Sequence, residues 1–363
     1  MILGPVLLML SLAQLPWVFA WGAAGHQIVA TIAQIFLTPT SRQQLCQILP
    51  ESAKCHLAPV AAWADTVRNA YTGPLHYVNG NDDWPADHCT FGESGWKDAR
   101  RNVLVGIVNS TMGVSFLAGH EQDFALRYLI HFMGDLHMPL HLTGRDRGGN
   151  DDRVRFDRRI TNLHSVWDGR LIAKALRTLT NYTQPLPSRR IESALRGAIY
   201  DSYVRFITWE GILGWWKDEW LSWASCIPLD SIFAVSEVEE GATASSSDDL
   251  QSPLSLPLPF STPWPASMST VDLPVCPLHW ARPIHDLNCN STLIWPRFLS
   301  NAPPHSTPVP IPPRDLVELD SPWYAGRIRN ELVIEKLLAM AGVRLAAVLN
   351  ELWDPQGMPH ITT

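Results

Sequence analysis

The segment HFMGDLHMPLH, residues 131–141, sets three histidines and an aspartate among apolar residues. Imidazole and carboxylate are the side chains that exchange protons near neutral pH and donate nitrogen or oxygen to divalent metals. His131 and Asp135 stand four apart, so on a helix both emerge from one face a turn apart and can share a metal ion. Pro139 disfavours further helix, which is expected to turn the chain and send His141 elsewhere, toward a second ion. The spacing returns in NLHSVWD, with His164 and Asp168. His26 in WGAAGHQ, Asp65 in AAWAD and His76 in LHY extend the set. One such pair alone reads more readily as a hydrogen-bonded core histidine, whereas the set together points to a metal site. Nitrogen and oxygen donors without thiolate suit zinc in open catalytic centres.

The elements that must position these residues are mostly helical. HQIVATIAQIF, from His26, repeats apolar residues at Ile28, Ile32, Ile35 and Phe36. Similar periodicity predicts helix over roughly 58–69, 97–108, 122–138, 163–178, 190–224 with breaks, and 325–353. Strand patterns are confined to LHYVN at 75–79 and RVRF at 153–156. The fold expected is therefore mainly α, one helical domain over 21–363 with little β structure. The stretch 226–315 holds 16 of the 29 prolines, so no helix is expected to persist there. Within it, 235–270 reads as a flexible surface insertion, while CPLHWARPIHDLNC, with two cysteines, reads as pinned to the core.

Residues 1–20, MILGPVLLMLSLAQLPWVFA, carry no charged side chain and end in Val-Phe-Ala, the pattern of a signal peptide cut after Ala20. Cys46, Cys55, Cys89, Cys226, Cys276 and Cys289 all follow the cut, an even number that suggests three disulfides in an oxidising compartment. No CxxC pair favours structural zinc. Sequons at Asn109, Asn181 and Asn290 fit a secreted glycoprotein. A formal charge of −7 excludes a broadly basic nucleic-acid footprint, so a polyanionic substrate needs a local positive centre.

The order WGAxGHxxVA, WAD, LHY, HFxGDxHxPLH, GGN and NLHxxWD resembles the zinc-dependent single-strand nuclease family of fungi and plants, the mung bean nuclease type, with bacterial zinc phospholipase C as a more distant relative. The likeness runs from Trp21 to about Leu176 and resumes in the final helix. It implies a cluster of three Zn²⁺. Asp65, His76, His131 and Asp135 would hold one ion. The terminal amine and carbonyl of Trp21, with His26 and Asp135, would hold its close neighbour. His141, His164 and Asp168 would hold the third. A terminal amine can ligate only after the preceding peptide bond is cut, which gives the cleavage after Ala20 a chemical purpose. Three divalent ions against three ligand carboxylates leave about +3 in one cleft, the positive centre that the net charge lacks.

The resemblance further implies hydrolysis of single-stranded DNA and RNA to 5′-phosphate ends, with activity on 3′-nucleotides, by water activated at the metals. Arg68, three residues beyond Asp65, matches a basic position near the scissile phosphate. Tyr77 is the candidate stacking residue, and Asn79 and Asn150 are candidate base contacts; many relatives have aspartate where this chain has Asn79. The likeness pairs Cys89 with Cys289; Cys46 with Cys55 closes a short loop, and Cys226 with Cys276 follows by elimination. A secreted monomer without stable membrane association is expected, since no amphipathic lipid-docking helix stands out. The competing readings are a zinc phospholipase C and a secreted metal-binding protein that has lost catalysis.

Overall fold

The structure, a computed structural model, describes residues 21–83, 90–226, 273–289, 293–296 and 315–357. The expected signal peptide 1–20, the insertion 235–270, Cys89 and Asn290 lie outside the described residues. The fold is mainly α. Its helices are α1 (Ala23–Phe36), α2 (Pro39–Ile48), α3 (Trp63–Thr66), α4 (Val103–Phe116) and α5 (Gly119–Leu136). Then comes α6, continuous through Leu163–Ser165, a π turn Val166–Arg170 and Leu171–Thr178. It is followed by α7 (Asp201–Phe206, running on as a π helix Ile207–Trp215), α8 (Pro277–Cys289), α9 (Ala325–Asn330) and α10 (Val333–Trp353).

Central helix α1 packs on α10, while α5 touches α1, α4 and α10. Ile28, Val29, Ile32 and Ala33 on α1 and Leu338, Ala339, Leu345 and Leu349 on α10 are all fully buried. The axes come close because Gly342 carries no side chain: a Cβ there would lie 2.5 Å from Ile32 Cγ2 and 3.0 Å from the Val29 carbonyl. Helix starts are set locally. Asn102 accepts from Leu104 and Val105 N–H at the head of α4, and Thr38 accepts from Ser41 N–H before Pro39 at α2.

Several expectations need correction. LHYVN at 75–79 is not a strand: Gly73–His76 is a 3₁₀ turn, and only Gly80 bridges Trp96. The β propensity of Tyr77 and Val78 is overridden because among the described residues no partner strand lies beside them; Val78 N–H instead donates to the His141 carbonyl at 2.8 Å. RVRF does form β1 (Arg153–Phe156), paired antiparallel with β2 (Arg159–Asn162), which the alternation did not reveal. Asp157 and Arg158 between them both have positive φ, as a tight hairpin turn requires. The helix expected over 58–69 is a 3₁₀ turn, Ala58–Val60, followed by the single turn of α3.

Within 226–315 a helix does persist. Pro277 opens α8, where its missing N–H costs nothing, and Pro283 is carried inside it while Trp280, Ala281 and Ile284 bury against the core. Disulfides Cys46–Cys55 and Cys226–Cys276 are present as expected, and Cys289 is also disulfide-bonded. Asn181 is exposed in an irregular segment, whereas Asn109 is half-buried in the middle of α4. Among the described residues no helix is long and apolar enough to cross a membrane.

Substituting Gly342→Ala is expected to force α1 and α10 apart and destabilise the protein by about 1–3 kcal/mol. Chemical denaturation of the purified variant against wild type reads this directly.

Candidate metal centre

His131 and Asp135 leave the C-terminal half of α5 from one face, with Nε2 3.4 Å from Asp135 Oδ2. Asp135 is fully buried and collects imidazoles from distant segments: His26 Nε2 lies 3.5 Å from Oδ1, His141 Nδ1 3.4 Å from Oδ1, and His76 Nδ1 3.0 Å from Oδ2. Asp65 on α3 faces His131 Nε2 at 3.5 Å. On the π turn of α6, Asp168 lies 3.5 Å from His164 Nε2 and 3.9 Å from His141 Nε2. Donor atoms therefore gather in three groups: His26, His131 and Asp135; Asp65, His76 and His131; His141, His164 and Asp168. Within each group they lie within 4.8 Å of one another, and all eight side chains are buried.

The structure thus brings together every ligand side chain expected from the sequence. His141 does not leave Asp135 behind after Pro139, since the 3₁₀ turn Pro139–His141 keeps it between Asp135 and Asp168. Trp21 is fully buried at the start of α1. Gly22 N–H donates to the Asp168 carbonyl at 2.7 Å, which ties the head of α1 to the π turn that carries Asp168. A further grouping of His285, Asp286 and Cys289 is no rival, because Cys289 is in a disulfide.

Backbone carbonyls aim the rings. His131 Nδ1 meets the Ala61 carbonyl at 2.8 Å, His141 Nδ1 the His76 carbonyl at 2.7 Å, and His164 Nδ1 the Gly148 carbonyl at 2.8 Å. Each bond fixes the tautomer that leaves an Nε2 lone pair facing the carboxylates. His131 Nε2, His76 Nε2 and both oxygens of Asp65 and Asp168 are buried without a hydrogen-bond partner of acceptable geometry. Buried acceptors without donors are costly, and a bound cation would satisfy them. The nitrogen and oxygen donor set fits zinc.

Electrostatics agree with that fit. Burial pushes the Asp135 and Asp168 carboxyls well above the usual range; the neighbouring Asp65 adds to this at both, against the opposing pull of His131 on Asp135. Burial likewise drives His76 and His141 well below the ordinary imidazole value, helped by His131 and His164 respectively, and lowers His164 to about 4. Burial also opposes charge on His131, but Asp135 and Asp65 reverse it and leave that ring raised. Neutral imidazoles beside carboxylates make a ligand set awaiting positive charge.

Two glycines permit the packing, and the sequence reading missed both. A Cβ on Gly134 would lie 2.6 Å from His26 Nδ1. Gly148, at φ +65°, would drive a Cβ to 2.5 Å from the Leu140 carbonyl, and its own carbonyl is the one that orients His164. A cleft of about 450 Å³ opens beside the third group. It is lined by His141 and His164 and by all four expected substrate contacts, Arg68, Tyr77, Asn79 and Asn150. Lys97, Thr143 and Arg147 also line it and carried no local signal in the sequence. Asn150 already uses one amide N–H on the Arg147 carbonyl at 2.8 Å.

A mainly helical chain with a buried cluster that could hold metal beside a polar cleft has the build of an enzyme. The family model described as S1/P1 nuclease matches residues 21–227, and the chain belongs to that family. Endonuclease 2 of Arabidopsis thaliana is 33% identical over 226 residues, 58% of this chain and 70% of the relative. Nuclease S1 of Aspergillus oryzae is 36% identical over 165 residues, covering 44% of this chain and 56% of that protein. Nuclease P1 of Penicillium citrinum is 36% identical over 154 residues, 41% and 57% respectively. The match therefore spans little more than half the length of the two fungal nucleases. The protein is a nuclease, a hydrolase acting on nucleic acid.

Replacing Gly134 by alanine is expected to displace His26 and lower bound metal, with hydrolysis falling about 10–100-fold while the helices persist. Elemental analysis with circular dichroism tests this. Asp152, beside the cleft loop, supplies a pH dependence: burial, with Asp146 adding, raises its carboxyl to about 7. Its folded value lies above its unfolded one, so its contribution to stability is complete below about 4 and lost as pH rises through about 7. The Asp152→Asn protein should melt increasingly above wild type between pH 4 and 7.5, and the gap should then level off; thermal unfolding across that range checks it.

Proposed function

We propose that this is an exported, monomeric, zinc-dependent endonuclease that hydrolyses single-stranded DNA and RNA to 5′-phosphate ends and also releases phosphate from 3′-nucleotides. The observation that carries the reading is that His141 and His164 belong both to the ligand cluster and to the lining of the cleft that holds Arg68, Tyr77, Asn79 and Asn150. The disulfides Cys46–Cys55 and Cys226–Cys276 support an oxidising compartment, with 1–20 as the signal peptide.

Asp65, His76, His131 and Asp135 would hold one zinc, Trp21, His26 and Asp135 the second, and His141, His164 and Asp168 the third. Zinc there supplies a Lewis acid for a phosphoryl oxygen and lowers the pKa of water. The chain's own residues do the rest. Arg68 is exposed toward the cleft, and its field reaches far enough to lower His76, His141 and His164, so a phosphate at the floor meets a guanidinium. Tyr77 is exposed and lines the cleft, where a base can stack while Asn79 and Asn150 offer amide donors and acceptors. Phosphate at the floor and base on the wall require an unpaired nucleotide, which gives the single-strand preference.

Enzyme secreted from a eukaryotic host should contain about three zinc ions. It should open circular single-stranded DNA faster than the duplex circle and leave ends that a ligase joins without prior phosphorylation. His164→Ala should lose one ion and most activity. A form verified by mass spectrometry to carry one residue before Trp21 should also lose most activity, because an amide replaces the terminal amine. Equal rates for extended and processed forms would remove Trp21 from the ligand set; a zinc-free enzyme of full activity would defeat the whole reading.

A further inference from the structure

Lys97 and Arg147 stand in the same cleft as His141, His164 and Arg68 but have no part in the scheme above. Lys97 is tied to the cleft wall by its backbone N–H, which donates to the Asn79 carbonyl at 3.0 Å. The point that a Cβ on Gly144 would occupy lies 3.2 Å from Lys97 Nζ and 3.4 Å from Asn79 Cβ and Cγ. Ammonium, side-chain amide and bare glycine backbone therefore meet at one spot. The group beside the ammonium is an amide, and among the residues that line the cleft there is no carboxylate to pair with it.

Arg147 reaches the cleft from a turn in which it has φ 54° and ψ 48°, a region that residues with side chains rarely occupy. The Asn150 amide on its carbonyl holds it there, and the Gly148 carbonyl one residue on is bound to His164. The Arg147 side chain is 78% exposed and pairs with Asp151 through Nη1 at 3.1 Å. That exposed pair is weak, and a guanidinium with five N–H donors keeps others for a ligand.

We propose that Lys97 and Arg147 form a phosphate subsite that takes a backbone phosphate adjoining the scissile one in a single-stranded nucleic acid. The inference rests on the reading of the His141–His164 edge as the scissile end. A base would be met by hydrogen-bonding amides and a ring, whereas an ammonium and a guanidinium lining one cleft match the monoanionic oxygens of a phosphodiester. The subsite makes the enzyme favour a chain over a mononucleotide, which has one phosphate and leaves it idle.

The test uses a phosphorothioate oligothymidylate, bound but resistant to cleavage, titrated by fluorescence anisotropy against wild type, Lys97→Ala, Arg147→Ala and the double variant over a range of salt. Loss of one phosphate contact should make the slope of log affinity on log salt shallower by about 0.7 and weaken binding about tenfold at low salt in the double variant. Lys97→Arg and Arg147→Lys should keep the slope. In parallel, kcat/KM should fall on a single-stranded oligonucleotide and change less than twofold on a 3′-nucleotide. An unchanged slope, or equal losses on both substrates, overturns the subsite. A wild-type protein that binds the oligonucleotide with the steeper slope yet cleaves neither substrate would defeat the nuclease reading and leave the subsite standing.

Discussion

A carboxylate with no exposure to water, placed within 3.5 Å of four imidazoles, governs this structure. An isolated buried charge is among the costliest features a fold can hold, and here burial drives Asp135 toward its protonated form. Its partners come from α1, the 3₁₀ turn at 73–76, α5 itself and the 3₁₀ turn at 139–141. Those segments must converge to within a few tenths of an ångström, and the interior is built to allow it. Gly134 admits His26 against α5, the Ala61, His76 and Gly148 carbonyls lock the rings, and Trp21 seals the start of α1. Packing alone would favour apolar residues at every one of these positions, so the cluster marks where the fold gives up stability for groups that could hold a metal ion.

The cleft wall depends on a second buried carboxylate from another part of the chain. Asp83 accepts from Thr143 Oγ1 and, at 2.7 Å, from Gly144 N–H, while its other oxygen lies 2.7 Å from His285 Nε2 on α8. The same helix sends Asn288 to the Pro139 carbonyl at 2.8 Å, at the start of the turn that carries His141. Disulfides at Cys276 and Cys289 hold both ends of α8. Helix α8, which lies within the proline-rich stretch, is therefore a structural member of the site.

What the sequence discloses follows from the range of the interaction. His131 with Asp135 and His164 with Asp168 are separated by one helical turn, so their spacing alone puts them on one face; periodicity likewise marks α1, α5 and α10. The order of short motifs, matched to a family, joins the remaining ligands across long separations, which no local pattern could do. Where an outcome depends on partners distant in the chain, the reading fails. Tyr77 and Val78 look like strand but have no strand beside them, and α8 survives two prolines because its apolar face is buried. Gly134 and Asp83 are ordinary as residues and significant only by what α1 and α8 bring against them.

The same division of labour reconciles a net charge of −7 with a polyanionic substrate. The three ligand carboxylates are at most 5% exposed, each screened by histidine rings, so the negative charge that would repel phosphate is held beneath the floor. Among the described residues the lining of the cleft includes Arg68, Lys97 and Arg147 and no carboxylate side chain. Protein charge is thus sorted by depth: the carboxylates of the cluster lie inside, and the cations lie along the cleft. Field lines from the rim are short-ranged at physiological salt, with a Debye length of about 8 Å, so the acidic remainder of the surface does not cancel them at contact distance. Such sorting leaves a formal net charge of −7 on the chain while the cleft itself presents positive charge.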